Sequence, residues 1–430
     1  MTALVAILTK QCVALAADSA VTTGEHKIFN TINKVFALSK HHPVGIMVYN
    51  NAYVMGVPVE TAIKEYRRIS GSRSFASLKD YAIDFEQFLK TNTSLFNDDS
   101  RHESLASIAW EVVTEIRDRS LENLERPWKR WGHPNEKEVS KALLEVIDYF
   151  EKCVEKAKSI QVDKPQKARR AIATTIDGEV DKAIKWLDDI LPPTASIKKR
   201  IRSLILDQFF CEVSFGGHTG FVIAGFGSEE VFPRLNAFEF CCSDLGIHKV
   251  RTGISLAVSN KSSAFIAPFA QADVMQTFVE GMDPNYRSAI DSFLEAFFES
   301  KKEKLLQSNT QPSQEIAIVE SLGKELKQAL GNALKELGKE VFIDPLIGVV
   351  ASMPKEELAI LAEALINLTA LKRRASSDEE TVGGPTDVAI ISKGDGFIWI
   401  KRKHYFDTTL NPGFAQRYLE VCDEEQEAEI

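Results

Sequence analysis

Strand-like segments stand at both ends of this chain and again in its middle, and two long helical blocks separate them. A strand must satisfy its backbone hydrogen bonds on other strands, so segments far apart in sequence have to meet in common sheets. That requirement points to one α+β core, discontinuous in sequence, carrying large helical insertions. The first runs are Ala3 to Leu8 and Val13 to Ala17, split by the polar Thr9-Lys10-Gln11 in a hairpin-like pattern. Lys27 to Phe29, Lys34 to Leu38 and Val44 to Tyr49 follow, bounded by turn formers such as Thr23-Gly24 and His42-Pro43. Strand texture returns over 211–260, where Gly220 to Gly225 and Phe232 to Phe240 are apolar runs, and again at Ser263 to Ile266. Asp387 to Ser392 and Phe397 to Lys403 read as a hairpin about Lys393-Gly394-Asp395-Gly396.

The helical blocks are read from their period. Leu143, Leu144, Ile147, Phe150, Val154 and Ala157 make one stripe; Val180, Ala183, Ile184, Leu187 and Leu191 make another, stopped by Pro192-Pro193. Ala270 to Gly281 reads as a helix, and residues 286–345 are helical with Gln307 to Gln314 as a polar break. Pro354 to Arg374 is a further helix, acidic at its start and basic at its end, as the helix dipole favours. The reading divides the chain into a core (2–55, 206–285 and 346–405), helical insertions (56–205 and 286–345) and a C-terminal segment (406–430) with an acidic tail.

Composition excludes several function classes. With 44% hydrophobic and 26% charged residues among 430, there is ample material for a core. A net charge of −9 argues against broad nucleic-acid binding. The six cysteines include no CxxC pair and no HExxH occurs, so no metal site is expected. Phe215 to Gly220 is glycine-rich but fits no phosphate- or dinucleotide-binding template and reads as a strand-entry turn, so no cofactor is expected. Few cysteines in a long chain suit reduced thiols and a cytoplasmic setting. The apolar N-terminus lacks a basic leader and is interrupted by Lys10 and Asp18. It is a poor signal peptide, and no stretch is long enough to span a membrane. Lys401 to His404 form a basic cluster at a strand end, the usual sign of a solvated end.

Thr2 carries the chemistry. Removal of Met1 before so small a residue would leave a free N-terminal threonine, with a hydroxyl and an α-amine on neighbouring carbons. An α-amine of pKa ~7.7–8.0 is partly neutral near pH 7 and can take the hydroxyl proton. Asp18 follows sixteen residues later and Lys34 a further sixteen. In a sheet where the first strands pair, both return beside Thr2. A lysine there lowers the pKa values of hydroxyl and amine, and an aspartate holds the lysine.

The segments T-A-L-V-A-I, V-A-L-A-A-D-S-A-V-T-T-G and K-I-F-N-T-I-N-K-V resemble the start of a proteasome β-type subunit, within the N-terminal-nucleophile hydrolases. The resemblance continues at Gly220 to Gly227, along the helix after Pro354 and at Val382 to Phe397, about half the chain. It implies a four-layer α/β/β/α sandwich and a threonine-type peptidase or amidohydrolase. Thr2 would be nucleophile and base, Asp18 and Lys34 the charged pair that tunes it, and the backbone N–H of Tyr49 an oxyanion donor. Ser19, Glu379, Thr381 and Gly383 would support the site. Peptide or protein substrates, a homo-oligomer and an unfoldase are the partners such a subunit admits. The chain departs from the family pattern at Tyr49 (family glycine), Ala20 (family arginine), Val382 (family serine) and Ala267 to Gln271 (family Gly-Ser-Gly). These departures favour an alternative reading, a catalytically silent scaffold or sensor working through its helical insertions.

Overall fold

The computed structural model describes residues 2–23, 27–131, 134–215, 217–307, 313–376, 382–407 and 409–413. The chain opens with β1 (Ala3–Thr9), β2 (Cys12–Ala17), β3 (Val21–Thr23), β4 (Lys27–Phe29), β5 (Val35–Ala37), β6 (Val44–Tyr49), β7 (Tyr53–Val54) and β8 (Val57–Pro58). Six helices follow: α1 (Val59–Ser70), α2 (Leu78–Thr91), α3 (Asp98–Trp131), α4 (Glu136–Lys156), α5 (Pro165–Ile190) and α6 (Ala195–Asp207). Strands resume as β9 (Thr219–Gly225), β10 (Arg234–Asp244), β11 (Ile247–Ala257) and β12 (Ala264–Ala270). Then come α7 (Asp273–Glu280), α8 (Pro284–Gln307), α9 (Ser313–Gly338), α10 (Asp344–Val350) and α11 (Lys355–Ala375), and last β13 (Asp387–Ser392) and β14 (Gly396–Lys401).

Two five-stranded antiparallel sheets result, in the orders β12-β1-β2-β13-β14 and β11-β10-β9-β6-β5. The chain ends therefore meet: β2 pairs with β1 on one side and with β13 on the other, Ala17 standing opposite both Leu4 and Asp387. Alternation along β1 explains why it reads as an unbroken apolar run. Leu4, Ala6 and Leu8 turn toward the second sheet, while Ala3, Val5 and Ile7 turn toward α11. A strand buried on both faces has no polar period. The second sheet is built likewise, with Val222 and Ala224 facing the first sheet and Phe221 and Ile223 facing α1 and α2.

The helical span 56–205 divides in two. Helices α1 and α2 cover the second sheet, where Tyr66 and Phe85 pack on Phe221 and Phe238. The α3–α6 helices build a separate core around Leu143, Ile172 and Ile201, which reaches Cys242 and Ile247 in β10 and β11. The helix read over Ala270 to Gly281 is α7, which starts three residues later than that reading. Seven register pairs with β1 run from Ala264 to Ala270, where φ turns to +61°, and helix begins at Asp273. The polar break at 307–314 does separate α8 from α9. Among the described residues no helix is long and apolar enough to cross a membrane.

The two sheets approach closely at Gly45. A Cβ there would lie 2.7 Å from Ile391, 2.9 Å from Phe397 and 3.1 Å from Leu15. Overpacking at such a site costs about 1–3 kcal/mol. We expect Gly45→Ala to lower the unfolding free energy by that amount in denaturant titration; an unchanged midpoint would show that the sheets have room to part there.

Candidate active site at the start of the first strand

Asp18 stands one residue past the end of β2, and its surroundings fix the site. Its backbone N–H donates to the Ala3 carbonyl at 3.1 Å, and its Oδ1 accepts the Ala3 N–H at 3.0 Å. The first residue of β1 is thus clamped from both sides of its peptide unit. Oδ2 accepts N–H groups from Ala20 and Gly383, each at 3.2 Å. Lys34 Nζ donates to Oδ1 at 2.6 Å and to the Ala20 carbonyl at 2.5 Å. Asp18 and Lys34 are both buried, so neither charge can rely on water. Burial pushes the Lys34 pKa below that of an ordinary lysine; the Asp18 charge opposes this, and repulsion from Lys403 adds to it.

Thr2 precedes β1 directly. Its carbonyl accepts the Gln271 N–H at 3.0 Å, which ties it to the turn after β12. It opens on a cleft of about 440 Å³ that Lys34, Asn33, Thr31, Tyr49 and Asn50 also line. Thr2, Lys34 and Tyr49, far apart in sequence, therefore share one cavity, and Asp18 anchors it from behind.

Tyr49 fills the space over Gly220. A Cβ on Gly220 would come within 2.1 Å of the Tyr49 ring, so the glycine accommodates the aromatic side chain. The Tyr49 hydroxyl donates to Glu239 Oε1 at 3.1 Å, and Glu239 also meets Arg251 and His218. Burial and the Glu239 charge push the phenol pKa well above its ordinary value, so it stays protonated. The main chain alternates here. The Val48 N–H donates to the Lys34 carbonyl at 2.9 Å. The Tyr49 N–H therefore turns the other way, toward its register partner Gly220 on β9. Asn50 has φ +76°, and the Asn51 N–H closes a γ-turn on the Tyr49 carbonyl at 3.1 Å.

Ser19 acts through the backbone. Its hydroxyl donates to the Pro385 carbonyl, its N–H to the Gly383 carbonyl at 3.1 Å, and its own carbonyl accepts the Ile32 N–H at 3.1 Å. It links the loop after α11 to the segment leading into Lys34. Glu379 and Thr381 lie outside the described residues. Val382 is buried against the α11 face of the first sheet. Ala20 contributes only its N–H and carbonyl, so the site does not draw on its side chain.

Two groups escaped sequence reasoning. Gln271 holds the Thr2 carbonyl through its N–H, and its Oε1 accepts Arg373 Nε at 2.7 Å. Asp387, buried opposite Ala17, binds Lys403 through that residue's N–H at 2.9 Å and its ammonium. The basic cluster is a solvated end at Lys401, Arg402 and His404, which are exposed, while Lys403 turns inward to pair with Asp387. No sequence spacing marks these partners; only the β1–β12 and β2–β13 registers do. Among the described residues no group of three or more His, Cys, Asp or Glu is placed to hold a metal ion.

Removing a buried carboxylate that receives four donors strands a buried ammonium and three N–H groups. We expect Asp18→Ala to lower stability by about 3–5 kcal/mol. A loss within ~0.5 kcal/mol, the range of ordinary surface substitutions, would show that these donors find other partners.

No protein-family model matches the chain, and no curated protein does. Solved structures that it is similar to include the helical assembly of the Anbu complex from Pseudomonas aeruginosa, at 9% identity over 99% of this chain and 96% of that one, with a TM-score of 0.29. Anbu (ancestral beta-subunit) from Yersinia bercovieri matches at 9% identity, over 98% and 97% of the two chains, with a TM-score of 0.28. Anbu from Hyphomicrobium sp. strain MC1 matches at 10% identity, over 98% and 97%, with a TM-score of 0.29. Likenesses at these scores carry no argument about activity.

Proposed function

We propose that this chain is a proteasome-like amidohydrolase or peptidase that uses Thr2 as an N-terminal nucleophile. The observation that carries the reading is the shared cleft: Thr2 opens on it beside Lys34, whose ammonium is held by Asp18 at 2.6 Å. Once Met1 is removed, the Thr2 amine accepts the proton of the Thr2 hydroxyl, directly or through one water. The hydroxyl oxygen attacks an amide carbonyl, and the C–N bond breaks as the proton passes to the leaving amine. Water then hydrolyses the ester and restores the hydroxyl. Lys34 supplies positive charge that favours the deprotonated amine and the developing alkoxide. Strand alternation leads us to place the oxyanion donor at the N–H of Asn50 rather than of Tyr49. The α/β/β/α layering implied by the sequence resemblance fits helices packed on the outer faces of both sheets. Peptides are the substrate class we favour, with a homo-oligomer as the working form.

The silent-scaffold reading keeps one specific support: the α3–α6 helices have a core of their own and are suited to act as an independent surface.

Two measurements separate the readings. Intact mass after exposure to a peptide epoxyketone, which requires both hydroxyl and amine, is expected to show Met1 removed and one adduct. Thr2→Ala is expected to abolish the adduct without changing the thermal unfolding midpoint. A free Thr2 that stays unmodified would move the assignment to the scaffold. The rate of adduct formation should rise with pH, because the amine acts as base when neutral. With Lys34 charged nearby, it should level off below the free-amine value of ~7.7–8.0. A rate that falls with rising pH would contradict the amine as base.

A further inference from the structure

From Gln276 to Val349 no described side chain is buried, although α8 and α9 are 24 and 26 residues long. Helices of this kind owe most of their stability to packing an apolar face. The two helices do pack on each other. Gly323 lies under Phe298, Lys327 pairs with Glu295, and Lys302 with Glu320 at 2.9 Å. This seam uses only one stripe of each. A second stripe runs along α9 through Ile318, Leu322, Leu326, Ala329, Ala333 and Leu337, each residue one position before a residue facing the seam. On α8, Tyr286, Phe293 and Phe297 form the matching stripe, Phe293 and Phe297 one position before the seam residues Leu294 and Phe298. In antiparallel helices, an equal offset from the seam puts both stripes on the same side of the pair. The hairpin therefore shows one continuous apolar face, with Tyr286 at 72%, Phe293 at 67% and Ile318 at 57% exposure.

We propose that this face docks a second copy of the chain through the same two helices, forming a four-helix bundle about a two-fold axis. This does not depend on the catalytic reading. The seven large side chains on the face expose roughly 800 Å², about what each partner contributes to a stable interface. Charge selects the arrangement. A two-fold axis parallel to the helices sets α8 of one copy against α9 of the other at the same height, and the seam pairs above fix those heights. Phe293 then faces Ala329 of the second copy, and Phe297 faces its Leu322 and Leu326. At the tip, Lys304, seven residues after Phe297, meets Glu315 of the second copy, seven before Leu322. The alternative with opposed tips would set α9 against α9, bringing Glu315 of one copy toward Glu336 and Glu340 of the other.

The test uses the full chain. Light scattering after size exclusion should give an even assembly, and Phe297→Glu combined with Leu326→Glu should halve its mass. Far-ultraviolet circular dichroism checks that the fold is kept, since no buried residue is altered. Lys304→Glu should weaken association severalfold, and adding Glu315→Lys should restore it. Chains carrying Phe293→Cys, mixed with chains carrying Ala329→Cys, should form a disulfide-linked pair on mild oxidation that neither variant forms alone. A monomeric unaltered chain, a mass unmoved by the double variant, or failure of either the rescue or the mixed disulfide would overturn the proposal.

Discussion

The buried carboxylate of Asp18 is the point on which the site depends. It receives one donor from β1, one from the turn after β2, one from the loop after α11 and one from Lys34. Four stretches of chain from both ends of the sequence are thereby held at one pair of oxygens. A carboxylate taken out of water tolerates burial only when its lone pairs are filled, and here each oxygen accepts two hydrogen bonds. The same requirement that keeps the charge stable fixes where Lys34 points and where β1 begins. Thr2 is the residue immediately before that clamp, so its position is set by electrostatics before any substrate is considered.

The helical insertion is wired to the cleft through a second carboxylate network. Glu111 on α3 accepts the Gly217 N–H at 2.6 Å, and a side chain at Gly217 would collide with it. Gly217 leads into His218, which meets Glu239, the acceptor of the Tyr49 hydroxyl. A chain of contacts thus runs from α3 through Gly217, His218 and Glu239 to Tyr49 at the cleft wall. The glycine-rich stretch reads as a strand-entry turn from sequence; Gly216 lies outside the described residues, and β9 begins at Thr219. Side chains at Gly217 and Gly220 would meet Glu111 and Tyr49, which are distant in sequence.

Local pattern was a good guide where an element's partners are near or its period is strong. The β1–β2 hairpin, the helices α4 and α5, α11 and the β13–β14 hairpin all lie where apolar period and turn formers put them. It failed where a distant strand decides. Ala270 continues β12 because Ala3 pairs with it, and no local feature of the segment carries that information. Helices α1 and α2 have the same texture as α3–α6, yet they cover the second sheet, because which surface an amphipathic helix meets is not written in its period. At the site, Thr2, Asp18 and Lys34 were legible from composition and spacing at the N-terminus. Gln271, Asp387 and the N–H direction at Tyr49 were not, since each follows from register.

The sequence by itself determined where most strands and helices lie, and that the first thirty-four residues hold a hydroxyl, a carboxylate and an ammonium at even intervals. These follow from local propensity and from the chemistry of side chains. Tertiary structure alone decided that a loop from residue 383 closes the Asp18 cage, that burial lowers the proton affinity of Lys34, and that an aromatic ring roofs Gly220. Each of these depends on strand order and register, which arise from burying both faces of two sheets at once. No short stretch of chain contains that constraint.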